Sequence, residues 1–421
     1  MLTAMKMIAV PFVRAAIRLV FIFSILPFLY LLKPYRRVVL HKLIYNRIGH
    51  LAGNSDFALR QRQISAIPPN EIHIFVSGPP VNRQLFKMLQ RHLIIFESAW
   101  LIRLFFIIED TLRKTPFYEP DTWQEFDCLY EIATTQRTLF FSAEEECRGQ
   151  QALEMMGIGS SDWFVCVHSR DSLYLQETNP SGDWNYHDYR DCSIANYLPA
   201  MNEITARGGY VLRMGALVSE PLEHQGNPMI IDYASDHRSD FMDIYATAKC
   251  RFFLGSTGGL FNVAWVFDVP IAHANMTPLS VLPFRSGDLF IPKLLRNTES
   301  HELIDLNTAF AHGLFNPQNP RLFTSDYYKN INMEFVENSS DEILALTREM
   351  FSKLDHSKVN PAVRSYQKAY KARFLSHIDD WNLVGDISWY FLKKHIKIID
   401  LGISLPDIEV PQTASEMILE R

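Results

Sequence analysis

Three short apolar runs in this sequence each break abruptly into side chains that hold anions. They are Phe164-Val-Cys-Val-His168-Ser-Arg170-Asp171, Tyr210-Val-Leu-Arg213-Met-Gly215 and Arg251-Phe-Phe-Leu-Gly255-Ser-Thr-Gly-Gly259. Runs rich in β-branched and aromatic residues are the pattern of buried parallel strands. In an open α/β sheet, ligands bind beyond the carboxyl ends of the strands. An arginine fork placed there grips phosphate oxygens in pairs. A turn such as Gly255-Ser256-Thr257-Gly258-Gly259, set between a strand and a helix, offers backbone N–H groups to the same kind of ligand. His168, Arg170, Arg213, Ser256, Thr257 and Gly258 are therefore candidate contacts for a diphosphate, which points to a nucleotide-type substrate. The plainer alternative for Arg170 is an ion pair with Asp171.

A second cluster runs from Asp232 to Asp243 (DYASDHRSDFMD). Ser239 has the form of an N-cap, with Asp240 and Asp243 in the first helical turn, where acidic groups suit the helix dipole. The same residues could instead place Arg238 on a phosphate and Asp243 on ribose hydroxyls or a base. The segment Asn185–Asp191, polar and aromatic, reads as ligand lining or as a solvated lid. Several motifs are missing from the sequence. There is no Gly-x-x-x-x-Gly-Lys-Ser/Thr, no Gly-x-Gly-x-x-Gly after the first strand and no Gly-x-Ser-x-Gly, which argues against a P-loop NTPase, a dinucleotide oxidoreductase and a serine hydrolase. Nor does an Asp-x-Asp follow a strand, so no metal is expected to hold the nucleotide.

The elements that must position these groups alternate as β-α-β. Strands are expected at 37–44, 72–76 and 93–96, with a Gly-containing loop at 46–54 and a helix capped by Asn82. A helix over 143–156 leads into a second α/β series. That series has strands at 163–168, 210–214, 229–232, 251–254 and 269–273, and helices at 193–206, 239–249 and 259–267. Long amphipathic helices follow at 341–354 and 361–374, then a polar tail. The expected organisation is a membrane-associating segment (1–35), a Rossmann-like acceptor domain (36–145), a Rossmann-like donor domain (146–330) and C-terminal helices (331–421). With 421 residues the chain is long enough for two cores.

The run Leu19–Leu32 (LVFIFSILPFLYLL) is flanked by Arg14, Arg18, Lys33, Arg36 and Arg37. Uninterrupted, it is short of the ~20 residues of a span, and basic flanks favour an anchor lying on an anionic lipid surface; the alternatives are a genuine span and a core helix. A net charge of −6 gives no basis for nucleic-acid binding. The five cysteines follow neither zinc nor disulfide spacing.

The ordered set Arg47-Ile-Gly-His50-Leu-Ala, His168-Ser-Arg-Asp, Arg213-Met-Gly, Asp232-Tyr-Ala, Arg238-Ser-Asp-Phe and Phe252-Phe-Leu-Gly-Ser-Thr-Gly-Gly259 resembles a family of bacterial glycosyltransferases of polysaccharide gene clusters. More distantly, His168-x-Arg170 with the later Ser-Thr-Gly resembles the donor site of GDP-fucose-dependent fucosyltransferases. By that resemblance Arg170 grips the donor diphosphate. The loop at Arg47–His50 is similar to the Gly-Asp loop of lipopolysaccharide heptosyltransferases, with His50 where those enzymes carry the carboxylate tied to acceptor activation. The resemblance implies a GT-B fold, two Rossmann-like domains facing a cleft. It also implies metal-independent sugar transfer from a nucleotide-sugar, weakly a GDP-sugar, to a glycan or lipid-linked acceptor. No cofactor is implied, and the expected location is the cytoplasmic face of the bacterial inner membrane. His50 then serves as general base, an imidazole being partly neutral at cellular pH; alternatively it only shapes its own turn. The rival activities are a sugar-nucleotide epimerase or hydrolase on the same fold, and a membrane-bound scaffold with an empty cleft.

Overall fold

The computed structural model describes residues 2–119, 133–171, 173, 177, 185–218, 221–222, 226–281, 283, 285–357, 360–376 and 381–401. Cys128, Asp183 and the polar tail after 401 lie outside the described residues. The chain divides into two compact units. The first holds the described residues up to 119 and 135–141, the second those at 133–134 and from 142 onward.

The first unit is a three-stranded parallel sheet, β1 (Arg37–Lys42), β2 (Glu71–Ser77) and β3 (Ile94–Glu97), in that order. Helix α3 (Ile48–Ile64) joins β1 to β2, and α4 (Arg83–Gln90) joins β2 to β3. Asn82 caps α4 by accepting from Leu85 N at 2.9 Å, as its position in the sequence leads one to expect. After β3, Ser98 caps α5 (Ala99–Leu112). Its Ile102, Phe105 and Leu112 build one core with Val76, Phe117 and Phe21.

Phe21 belongs to the amino-terminal helix, which continues from α1 (Leu2–Val20) through a π-helical turn (Phe21–Ile25) into α2 (Leu26–Leu32). The apolar stretch runs from Pro11 to Leu32, 22 residues, and so is longer than the Leu19–Leu32 run suggests. At 1.5 Å per residue it is long enough, ~33 Å, to cross a bilayer. Ile22, Leu26 and Leu29 also face the unit's core, whereas Phe23, Phe28 and Leu31 are 74%, 62% and 75% exposed. Arg37, counted among the basic flanks, is committed elsewhere: it begins β1 and pairs with Glu71 at 2.6 Å.

The second unit carries a seven-stranded sheet in which every neighbouring pair is parallel. Its strands are β4 (Phe164–His168), β5 (Tyr210–Arg213), β6 (Ile230–Ile231), β7 (Phe253–Gly255), β8 (Ile271–Met276), β9 (Leu289–Pro292) and β12 (Asp386–Ile387). The order across the sheet is β6-β5-β4-β7-β8-β9-β12. The first six follow the doubly wound Rossmann order, and the winding direction reverses between β4 and β7.

The helices arise where capping chemistry puts them. Ser142 and Glu145 form a capping box for the helix Ala143–Met155, and Ser339 with Glu342 does the same for Ser340–Leu354. The expected helix over 193–206 splits into a 3₁₀ turn (Ile194–Tyr197) and an α-helix (Leu198–Ala206), because Pro199 suits a fresh first turn. The region after 331 contributes more than helices. It supplies β11 (Met333–Val336), antiparallel to β10 (Leu294–Asn297), and the edge strand β12. The helix Ser340–Leu354 packs on β8 and β9, so this region completes the second unit's sheet layer.

Candidate active site

The reversal between β4 and β7 is the point where a doubly wound sheet opens a crevice at its carboxyl edge. His168 ends β4 and Gly255 ends β7, and the two are register partners. A Cβ at Gly255 would lie 2.8 Å from His168 O, so only glycine allows this approach. Gly258 packs on the imidazole itself; a Cβ there would lie 3.0 Å from His168 Cε1. His168 Nδ1 is buried without a hydrogen-bond partner among the described residues. Burial, then the neighbouring Arg213 and Arg170, hold its pKa down to about 4, so the ring is neutral at pH 7.

The turn residues hold the crevice's walls together. Ser256 Oγ accepts from Arg170 N at 2.8 Å, and Thr257 Oγ1 accepts from Thr277 N at 3.0 Å. Their hydroxyls thus tie β7's turn to the ends of β4 and β8. The helix after the turn is Phe261–Val266, only six residues and entered through Leu260 rather than Gly259. So short a helix supports little macrodipole, and an anion here must be held mainly by side chains.

Those side chains are present. Arg170 is buried, donating from Nη1 to His187 O at 3.1 Å and pairing with Asp191 rather than with Asp171. Burial, with Arg190 close by, lowers its pKa to about 10, still charged at neutral pH. Beside it stands Lys293, 2% exposed, donating to Asp191 O at 2.6 Å and Tyr189 O at 3.2 Å. Burial lowers its pKa as well. The segment Asn185–Arg190 is a 3₁₀ helix built into this unit, with Tyr189 against Tyr328 and Phe335 at ring separations of 5.7 and 5.8 Å. It is wall rather than lid.

Lys293 escaped the sequence reading although it carries the same signature as the arginines. It follows the apolar run Leu289-Phe-Ile-Pro and stands at the carboxyl end of β9. Further buried polar atoms without a partner among the described residues gather near the neighbouring strand β8: both ring nitrogens of His273, Thr277 Oγ1 and Ser280 Oγ. His273 is the register partner of Gly255, and burial keeps its pKa near about 4.

Arg213 ends β5 with its fork engaged. Its Nη1 lies 3.0 and 3.2 Å from the two Asp232 oxygens, and Asp232 also accepts from Leu222 N and Ser235 Oγ. Arg213 acts on His168 as a fixed charge from this braced position.

Arg238 and Asp243 form a separate cluster at the start of the helix Asp240–Lys249. Since β6 feeds that helix, its amino end stands at the carboxyl edge of the sheet as well. Arg238 Nη2 bonds Asp243 Oδ2 at 3.0 Å and Asp240 Oδ1 at 3.2 Å, and the Tyr233 hydroxyl donates to Asp243 at 2.9 Å. Burial pushes the Asp243 carboxyl up to about 6. Burial opposes the Arg238 charge, yet Asp243 and Asp240 outweigh it and raise its pKa.

His50 belongs to the first unit. The expected loop over 46–54 ends at Arg47, which is extended, and α3 begins at Ile48, placing His50 in the first helical turn. Gly49, Gly53 and Asn54 read as helix breakers, but burial of Leu51 and Ala52 overrides that weak propensity. His50 Nδ1 lies 3.2 Å from Asn54 Oδ1. An amide oxygen only accepts, so Nδ1 carries the proton and Nε2 the lone pair. Among the described residues, the trio His41, His73 and Glu119 brings three potential metal-ligand atoms together, and it too belongs to the first unit.

No family model matches the sequence, and no curated protein matches it. Solved structures similar in layout include three glycosyltransferases. A glycosyl transferase family 9 protein from Veillonella parvula DSM 2008 is 9% identical, with 57% of this chain and 80% of that chain covered at a TM-score of 0.35. The ADP-heptose lps heptosyltransferase II of E. coli is 12% identical, covering 56% and 84% at 0.35. The iron-containing dodecameric glycosyltransferase TibC of enterotoxigenic E. coli H10407 is 12% identical, covering 76% and 77% at 0.38. At these scores the likeness is one of broad α/β layout and not of chemistry.

Proposed function

We propose that this protein is a glycosyltransferase whose nucleotide-sugar donor binds at the carboxyl edge of the seven-stranded sheet. One observation carries the reading. At the winding reversal, a neutral His168 with an unpartnered Nδ1 packs on a backbone-tight glycine turn; the buried cation Arg170 follows it at the end of β4, and the buried Lys293 stands at the end of β9. Arg170 pairs with Asp191 and Lys293 donates to two carbonyls, and a diphosphate placed there would take further bonds from both cations. As the glycosidic bond to the donor breaks, negative charge grows on the leaving diphosphate, and preorganised cations stabilise that charge. Arg213 and Asp232 brace the edge of the site; Arg238 is assigned to a phosphate and Asp243 to the ribose or base. No metal is needed for these contacts, since the cations are the protein's own. By the resemblance of its sequence, His50 takes the proton of the acceptor hydroxyl, and a GDP-sugar is the favoured donor.

The acceptor is proposed to be a lipid-linked envelope glycan at the cytoplasmic face of the bacterial inner membrane. Support comes from the amino-terminal helix, whose Phe23, Phe28 and Leu31 are exposed while Phe21 is held in the unit's core. A helix with one face committed to protein and the other apolar and exposed suits an interfacial anchor.

The test is turnover by the full chain with GDP-, UDP-, ADP- and CMP-sugars, with and without an envelope lipid extract and with excess chelator. Chelator-resistant sugar transfer that requires the extract supports the proposal. Sugar release without acceptor would make the protein a hydrolase, and binding of no nucleotide would make it a scaffold.

A further inference from the structure

The first unit holds a cluster that sugar transfer does not use. The register of β1 and β2 pairs Arg37 with Glu71, Val39 with His73 and His41 with Phe75, so these side chains share one face of the sheet. His41 Nε2 lies 2.8 Å from His73 Nδ1, and Glu119 Oε2 lies 3.9 Å from the same nitrogen. One ligand atom from each of His41, His73 and Glu119 falls within 4.8 Å of the others. Zinc bonds of ~2.0–2.1 Å in tetrahedral geometry set ligand atoms ~3.3 Å apart. The observed separations bracket that value.

The outer nitrogens sharpen the case. His73 Nε2 lies 3.3 Å from Glu71 Oε2. Glu71 is paired with Arg37 at 2.6 Å, and its carboxylate accepts. Nε2 of His73 therefore holds the proton, and Nδ1 turns its lone pair toward His41. The two imidazoles thus face each other nitrogen to nitrogen at 2.8 Å, and a metal ion would take the place of the proton they share. A carboxylate behind a ligand histidine is the usual way of orienting imidazole toward a metal. The surrounding charges balance without the ion: Arg37 and Arg62 against Glu71 and Glu119.

We propose that His41, His73 and Glu119 bind one divalent metal ion, zinc by the chemistry of the donors, with Glu71 orienting His73. The ion would clamp β1, β2 and the chain at Glu119, which runs beside β1 through the bridge of Leu40 with Tyr118. The site is independent of the donor reading.

Zinc alone, then cobalt alone, is titrated into chelator-treated full-length protein. Expected are one zinc per chain by elemental analysis, a tetrahedral cobalt visible spectrum and a rise in Tm. His73→Gln should abolish all three, and Glu71→Gln should weaken zinc binding by about 10–100-fold. Glu119→Gln alters an exposed side chain, so the fold survives, and zinc affinity should again fall. Wild-type protein that takes up no zinc at micromolar concentration, or equal uptake by wild type, Glu119→Gln and His73→Gln, overturns the proposal. Unchanged GDP binding in chelator separates its outcome from that of the donor site.

Discussion

A side chain at Gly258 is expected to close the anion site while leaving the sheet folded. Gly258 is not among the glycines of the left-handed region, so a substitution carries no backbone strain of that kind. What it meets is steric. A Cβ would stand 3.0 Å from His168 Cε1, 3.5 Å from Nδ1 and 3.8 Å from Ser256 O. Alanine requires the imidazole to give by a few tenths of an ångström. Valine adds two methyl groups that must occupy the space beside the ring, which is the space assigned to the diphosphate. Losing one charge-assisted hydrogen bond to the ligand is worth ~1.5–3 kcal/mol, or roughly 10–150-fold in Kd. Gly258→Ala should therefore weaken GDP binding by about 3–10-fold and Gly258→Val by about 10–150-fold or more, measured calorimetrically. The thermal melts should stay close to wild type. If Gly258→Val acts through the ring, adding His168→Ala should restore part of the lost space and of the affinity. A folded Gly258→Val protein that binds nucleotide as well as wild type would falsify the steric reasoning and leave the turn purely structural.

Replacing His50 by Ala should cut turnover by ~10²–10⁴ with donor Kd nearly unchanged, in steady-state and binding assays; wild-type turnover ends its role as base. Replacing Phe23 and Leu31 together by Asp should abolish binding to anionic vesicles at unchanged Tm, each apolar side chain being worth ~1.5–3 kcal/mol when buried in lipid. Deleting residues 1–32 should instead lower Tm, because Phe21 leaves the core it shares with Ile102 and Phe105. The buried His273 has a folded pKa of about 4, below its ordinary 6.5. Between those values the unfolded chain binds the extra proton, so this contribution is complete above pH 6.5 and is lost as pH falls toward 4. Asp243 and Asp288, raised to about 6, work in the opposite sense: their contribution is present below pH ~4 and is lost as pH rises through 6. The informative quantity is thus the difference between wild type and His273→Phe, whose loss of stability on going from pH 6.5 to 4 should be smaller by up to ~3 kcal/mol in denaturant titrations.

Much of the second unit is legible in the sequence because its strands are buried on both faces and read as apolar runs. Serine caps mark the helices at Ala143, Asp240 and Ser340. The less legible parts are those decided by long-range contacts. β12 is two residues long and exists because it pairs with β9, nearly a hundred positions earlier. His50 reads as a loop residue because Gly49 and Gly53 are poor helix formers, and only the buried Leu51 and Ala52 show otherwise. Partner choice is likewise invisible in one dimension. Arg170 has Asp171 beside it in sequence but pairs with Asp191, and Arg213 is engaged by Asp232. Lys293 was readable in principle, a charge closing an apolar run, but the Pro before it breaks the strand pattern.

The central claim is that Arg170 and Lys293 hold a diphosphate at the winding reversal. Calorimetric titration of GDP into wild type, Arg170→Gln and Lys293→Gln, at low and at high salt, tests it most directly. The prediction is saturable one-to-one binding by wild type that weakens with salt. In either variant it should fall by about 10–150-fold, one charge-assisted contact, while GMP, lacking the β-phosphate, binds all three proteins comparably. Equal GDP affinity in the three folded proteins would contradict the claim and return both cations to a structural role around Asp191.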